Sequence, residues 1–140
     1  MKGYRKVLIA VNGSVGPLEK GLELASDEKC WVTVLKVLPP YEGDIDITGI
    51  KSLSDVLDSG SREVGKMLKD IVNESRSLAK VMVEQGEISD TITRVAREQK
   101  CDLIIMGRKK ARSWIGRLLG DNVSSKVVAE ASCPVLFVAS

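Results

Sequence analysis

Five short runs rich in β-branched residues recur along the chain: KVLIAV (Lys6 to Val11), WVTVLKV (Trp31 to Val37), AKVMVE (Ala79 to Glu84), DLIIM (Asp102 to Met106) and VLFVA (Val135 to Ala139). Three of them are nearly continuous in apolar side chains and lack the polar alternation of a strand with one wet face. Such strands belong to a parallel sheet covered on both sides.

The intervals supply the covering helices. Val64, Met67, Leu68 and Ile71 follow i, i+3, i+4, i+7, and Ile88, Ile92, Val95 and Ala96 recur at three- and four-residue steps. Leu18, Leu22 and Ala25 mark a further helix, and Val123, Val127, Val128 and Ala131 a last one. Strand and helix therefore alternate, which argues for right-handed crossovers onto one sheet. The predicted fold is α/β: a single doubly wound domain over residues 1–140, with a five-stranded parallel sheet of order 3-2-1-4-5 and helices on both faces. The stretch from Pro39 to Ile50, PPYEGDIDITGI, reads as a loop, either a lid or a long crossover connection.

A chain of 140 residues buries enough core to fold without disulfides or a structural metal. Its 21 Lys+Arg against 19 Asp+Glu imply no whole-protein attraction to nucleic acid, so nucleic acid is not an expected partner. The opening MKGYRKVLIAVNGS has only five apolar residues in a row, too few for a signal-peptide core or a membrane span, and the reading is a cytoplasmic protein without membrane attachment. Cys30, Cys101 and Cys133 are far apart, and the chain has no histidine, so reduced packing cysteines are expected and no metal site. The sequons at Asn12, Asn73 and Asn122 are read as coincidence.

Ligands of a doubly wound sheet bind beyond the carboxyl ends of its strands where the strand order reverses. With order 3-2-1-4-5 that place lies between the first and fourth strands. VNGSVGP (Val11 to Pro17) leaves the first, and a basic segment from Gly107 to Asp121 leaves the fourth. Arg108, Lys109, Lys110, Arg112 and Arg117 precede any acidic residue there, so their field is not neutralised locally, and an anion is the expected guest. A helix starting near Asn122 points unpaired amides at the same crevice. Trp114, Ile115, Leu118 and Leu119 read as one packed face of a short helical turn, with base stacking by Trp114 as the disfavoured alternative.

VLIAVNGS at the first strand, TVLKV at the second, Gly86-Glu-Ile before the third helix, CDLIIMG at the fourth strand and VSSKVVAEASCPVLFV at the end resemble, together and over essentially the whole chain, the universal stress proteins. The resemblance implies a five-stranded parallel sheet, a dimer through the last strand and, in one branch, an ATP site. That branch carries Gly, two residues, Gly, nine residues, Gly, then Ser or Thr. On this chain the first and third glycines match Gly107 and Gly120, the second falls on Lys110 and the hydroxyl residue on Asp121. The family aspartate after the first strand, which helps hold the ribose and metal side, is Asn12 here.

These departures have physical content. A non-glycine residue at position 110 costs about 1–2 kcal/mol where the backbone needs positive φ. At position 121 a hydroxyl donor is replaced by a carboxylate that only accepts. Repulsion from a phosphate charge about 4 Å away costs about 1 kcal/mol in water and about 4 kcal/mol at an effective dielectric near 20. The same carboxylate suits the amides that open the last helix, filling the place of a phosphate. From Gly120 to Cys133 the chain is one residue longer than the family spacing, which leaves open a register with Asn122 in the Ser/Thr place. Asn12 gives up a metal-attracting charge but keeps an oxygen acceptor.

The expectation is a non-catalytic dimer of the stress response with weak or lost ATP binding. The alternative is an ATP-binding switch, with magnesium and at most slow hydrolysis. By the resemblance, the nucleotide-binding residues would be Ala10, Val11, Asn12, Val37 (through its backbone, on adenine), Met106, Gly107, Lys109, Lys110, Gly120, Asp121, Asn122 and Val123. No residue is assigned a catalytic role: histidine is absent, and no reactive-looking Cys motif or paired carboxylates stand at the switch point. The homodimer is expected through Val135 to Ala139, an apolar strand with an uncovered edge.

Overall fold

The computed structural model describes residues 3–11, 15–26, 30–38, 53–75, 78–108 and 122–139. Within them the elements run β1 (Lys6–Val11), α1 (Gly16–Ser26), β2 (Trp31–Leu38), α2 (Leu53–Ser75), β3 (Ala79–Gln85), α3 (Ile88–Glu98), β4 (Leu103–Arg108), α4 (Asn122–Glu130) and β5 (Val135–Ala139). All strand pairs are parallel and the order is β3-β2-β1-β4-β5.

Why the middle strands carry uninterrupted apolar runs is visible in the two cores. Side chains of a strand alternate between faces, and in β1 the odd set Val7, Ile9 and Val11 packs with Leu18, Leu22, Leu68 and Val72 of α1 and α2. The even set Leu8 and Ala10 packs with Ile92 and Val95 of α3 and Val127 of α4. Both sets are dry, so neither can be polar. Burying each large side chain of this kind contributes about 1.5–3 kcal/mol. The edge strands β3 and β5 are only half-buried, and their patterns are correspondingly looser.

The helices approach the sheet closely at defined places. A Cβ on Gly21 of α1 would lie 3.0 Å from Ile9 Cδ1. One on Gly107 of β4 would lie 2.6 Å from Pro17 Cγ, so the first turn of α1 rests directly on the strand there.

Three expectations are corrected. The fourth strand does not end at Met106: it continues through Arg108, because Gly107 and Arg108 pair with Val138 and Ala139 of β5. Gly107 is therefore a strand residue, kept small by Pro17. In α4, Val127 is fully buried while Val128 is 55% exposed, and Ala131 lies beyond the helix end. In α2, Leu68 is buried but Met67 is 48% exposed. The Pro39 to Ile50 stretch and Trp114 lie outside the described residues.

Candidate functional site

The carboxyl ends of β1 and β4 meet where the strand order reverses, between Val11 on one side and Gly107 and Arg108 on the other. The helix after β4 begins at Asn122, as the sequence predicts, so its first unpaired amides belong to this end of the sheet. Here lies an open depression of about 470 Å³ lined by Arg108 at the end of β4, Ser124, Ser125 and Val128 of α4, and Phe137 of β5. It borders β4 and β5, one strand away from the predicted divide between β1 and β4. Arg108 joins the two places, because it ends the strand they share.

The structure brings four of the predicted residues together, with their side chains turned to the core. Ala10, Val37 and Met106 are buried in the cluster under α3 and α4, and half-buried Val123 packs against it. Val11 is buried on the opposite face. Contact between a ligand and these buried residues would therefore run through their backbone. Asn12, Lys109, Lys110, Gly120 and Asp121 lie outside the described residues; Asn122 opens α4.

Ser124 and Ser125 are the residues the sequence reasoning passed over. They line the depression within the first turn of α4 and offer hydroxyls that both donate and accept. The available signal was the pair of adjacent hydroxyls two residues into a helix that follows a basic segment.

None of the three cysteines forms a disulfide. Cys30 is buried and its Sγ donates to Tyr4 O at 3.0 Å. Burial pushes Cys101 up to about 11, with neighbouring Cys133 and Asp102 adding to the shift. Burial also raises Cys133. Thiols held protonated in this way are poor nucleophiles.

The universal stress protein family model matches residues 3–139. The chain belongs to the universal stress protein family. Among its relatives, a universal stress protein of Methanothermobacter thermautotrophicus is 30% identical over 142 residues, covering 96% of this chain and 95% of the relative. One from Methanocaldococcus jannaschii is 28% identical over 145 residues, covering 96% and 82%. Among solved structures, a universal stress protein in complex with cAMP superimposes with a TM-score of 0.75 at 21% identity, covering 98% of each chain. The universal stress protein of Archaeoglobus fulgidus in complex with dAMP gives 0.65 at 18%, covering 96% and 97%. At these identities the two structures establish the shared α/β fold.

Proposed function

We propose that this universal stress protein is a non-catalytic, cytoplasmic homodimer of the stress response whose crevice binds ATP weakly or not at all while accepting an adenine nucleotide with a single phosphate. The observation that supports the reading is that α4 opens at Asn122, so that a carboxylate, Asp121, immediately precedes the helix in sequence, and in the register that aligns Gly107 and Gly120 with the family's ATP motif it stands in the hydroxyl's place. A carboxylate at a helix start competes with phosphate for the same amides. Its repulsion grows with the charge of the guest, which penalises a triphosphate more than a monophosphate. Two structural neighbours carry cAMP and dAMP, both single-phosphate adenine nucleotides. Among the described residues no helix is long and apolar enough to cross a membrane.

The dimer reading rests on β5, which ends the sheet order and leaves Val135, Leu136 and Phe137 only half-buried. An open apolar edge is a template for a second copy. Sedimentation at micromolar concentration is expected to give a dimer, and a monomer there would remove this part of the proposal.

The second reading, an ATP-binding switch, is favoured by the intact separation of Gly107 and Gly120 and by the basic segment between them. There Lys109 and Lys110 would meet the phosphates and magnesium would arrive with the triphosphate. Calorimetry on nucleotide-stripped protein with ATP, AMP and cAMP, with and without magnesium, separates the two. Tighter binding of AMP or cAMP than of ATP supports the first reading. ATP bound tightly and magnesium-dependently supports the second.

A further inference from the structure

The opposite end of the sheet, where the strands begin, holds a second depression of about 350 Å³. Its lining includes Lys6 of β1, Trp31 and Thr33 of β2, Lys80 of β3 and Gln99 at the C-terminus of α3. The register explains how they come together. Lys6 pairs with Trp31, and Thr33 pairs with Lys80, so all four fall on the face that α3 covers. But α3 ends at Glu98 with Gln99 as its cap, and the last row of the sheet passes beyond it. Trp31 is left 64% exposed there, between two exposed lysines.

An indole in that position is not explained by packing, because most of its surface meets water. Nor are the lysines fully accounted for by the helix end. The Lys80 ammonium donates to Gln99 Oε1, but a helix C-terminus carries only about half an elementary charge, against two ammonium groups. The nearby carboxylate of Asp102 is directed at the backbone, accepting from Arg5 N at 3.0 Å and Lys6 N at 3.2 Å, and its single charge, even with the half charge of the helix end, does not offset both ammonium groups. The depression therefore keeps a positive balance beside an open aromatic face, in a volume at the lower end of the about 300–1,000 Å³ of small-molecule sites.

We infer that this depression binds a small planar aromatic anion, with its ring stacked on the Trp31 indole and its carboxylate or phosphate held by Lys6 and Lys80. The polar rim adds direction: the Thr33 hydroxyl and the Gln99 amide both donate and accept at the ring's edge. The site is separate from the crevice, since it lies at the amino ends of the strands and uses none of the residues proposed there.

The test is nitrogen-15 NMR of the full chain, following the Trp31 indole N–H and the Lys80 amide while titrating benzoate, phenyl phosphate and the neutral benzamide. A saturating shift centred on Trp31 with at least one of the two anions, and at least tenfold weaker binding of benzamide, is the expected result. Preference between benzoate and phenyl phosphate then tells whether the native ligand class is a carboxylate or a phosphate. Trp31→Ala should weaken binding by about tenfold, in line with the loss of one stacking platform, and the double variant Lys6→Gln with Lys80→Gln should abolish the preference for the anions. These side chains are solvent-exposed, so the variants are expected to fold, which the unchanged remainder of the spectrum verifies. The inference is overturned by no saturating shift at Trp31 with either anion, by benzamide binding as tightly as benzoate, or by Trp31→Ala binding unchanged.

Discussion

Two helices open at the same end of this sheet, and they open in different chemical company. At α3 the cap is visible in full. The Glu87 carboxylate accepts from Ser89 N at 3.3 Å, Asp90 N at 3.0 Å and Ser89 Oγ at 2.6 Å. The Ser89 hydroxyl, followed by the Asp90 amide, holds Glu87 down to about 2, well below its usual 4.5. α4 begins at Asn122, which in sequence follows Asp121 and a basic segment, and Ser124 and Ser125 of its first turn line a depression. The first helix shows what a carboxylate does to unpaired amides in this protein: it occupies them as an anion and remains charged. The second has the same class of residue just ahead of it in sequence, and in the proposed reading that carboxylate competes with a phosphate for the helix's first amides.

The largest expected effect separates the two openings structurally. The chain turns into α3 at Gly86, whose φ is +155° and whose missing Cβ would sit 2.7 Å from Thr91 Oγ1. Thr91 cannot simply rotate away without loss, since that hydroxyl donates to Glu87 O at 2.7 Å. Gly86→Ala should therefore destabilise the fold by about 1–3 kcal/mol, read from the urea midpoint. A loss near zero would mean that the entry to α3 is looser than the geometry implies. Next in size is Asp121→Ser, which should tighten ATP binding by about tenfold or more, equivalent to about 1.4 kcal/mol per factor of ten, and change AMP binding less. Equal effects on both nucleotides would break the analogy with Glu87, because a competing charge must discriminate between guests of different charge.

The strands and their order were legible because physical necessity leaves little choice: Leu8, Ile9, Ile104 and Ile105 are sealed on both faces, and a polar residue in any of those places would be an unpaired buried group. The end of β4 was not legible. Gly107 stands just past the predicted strand, and only the meeting of Pro17 with the strand shows that it is small for packing. The site was half legible. Topology points to the carboxyl ends of the strands, but the depression found there lies one strand from the predicted divide between β1 and β4, and Ser124 and Ser125 carry no spacing that distinguishes them from ordinary residues of a first helical turn. The Trp31 depression was hidden for a different reason: Lys6, Trp31 and Lys80 are scattered in sequence, and only the strand register and the length of α3 bring them to one surface.

Glu87→Ala removes the cap of α3 itself, with a smaller expected effect than either substitution above. Removing the cap leaves two amides and the Ser89 hydroxyl without this acceptor, at a cost of about 1 kcal/mol near neutral pH. The sign of the pH dependence follows from the lowered value. In the unfolded chain Glu87 takes up its proton near 4.5, while in the folded protein it holds out to about 2. Its contribution is thus complete above about 4.5 and is lost as pH falls through the folded value near 2. Urea titrations of the parent and the variant should differ by a constant amount from neutral pH down to about 4.5 and converge toward pH 2. A difference that persists undiminished at the acid end would mean that the side chain acts by packing and not by charge. In that case a carboxylate at a helix opening would no longer be a sound model for what Asp121 does to a phosphate.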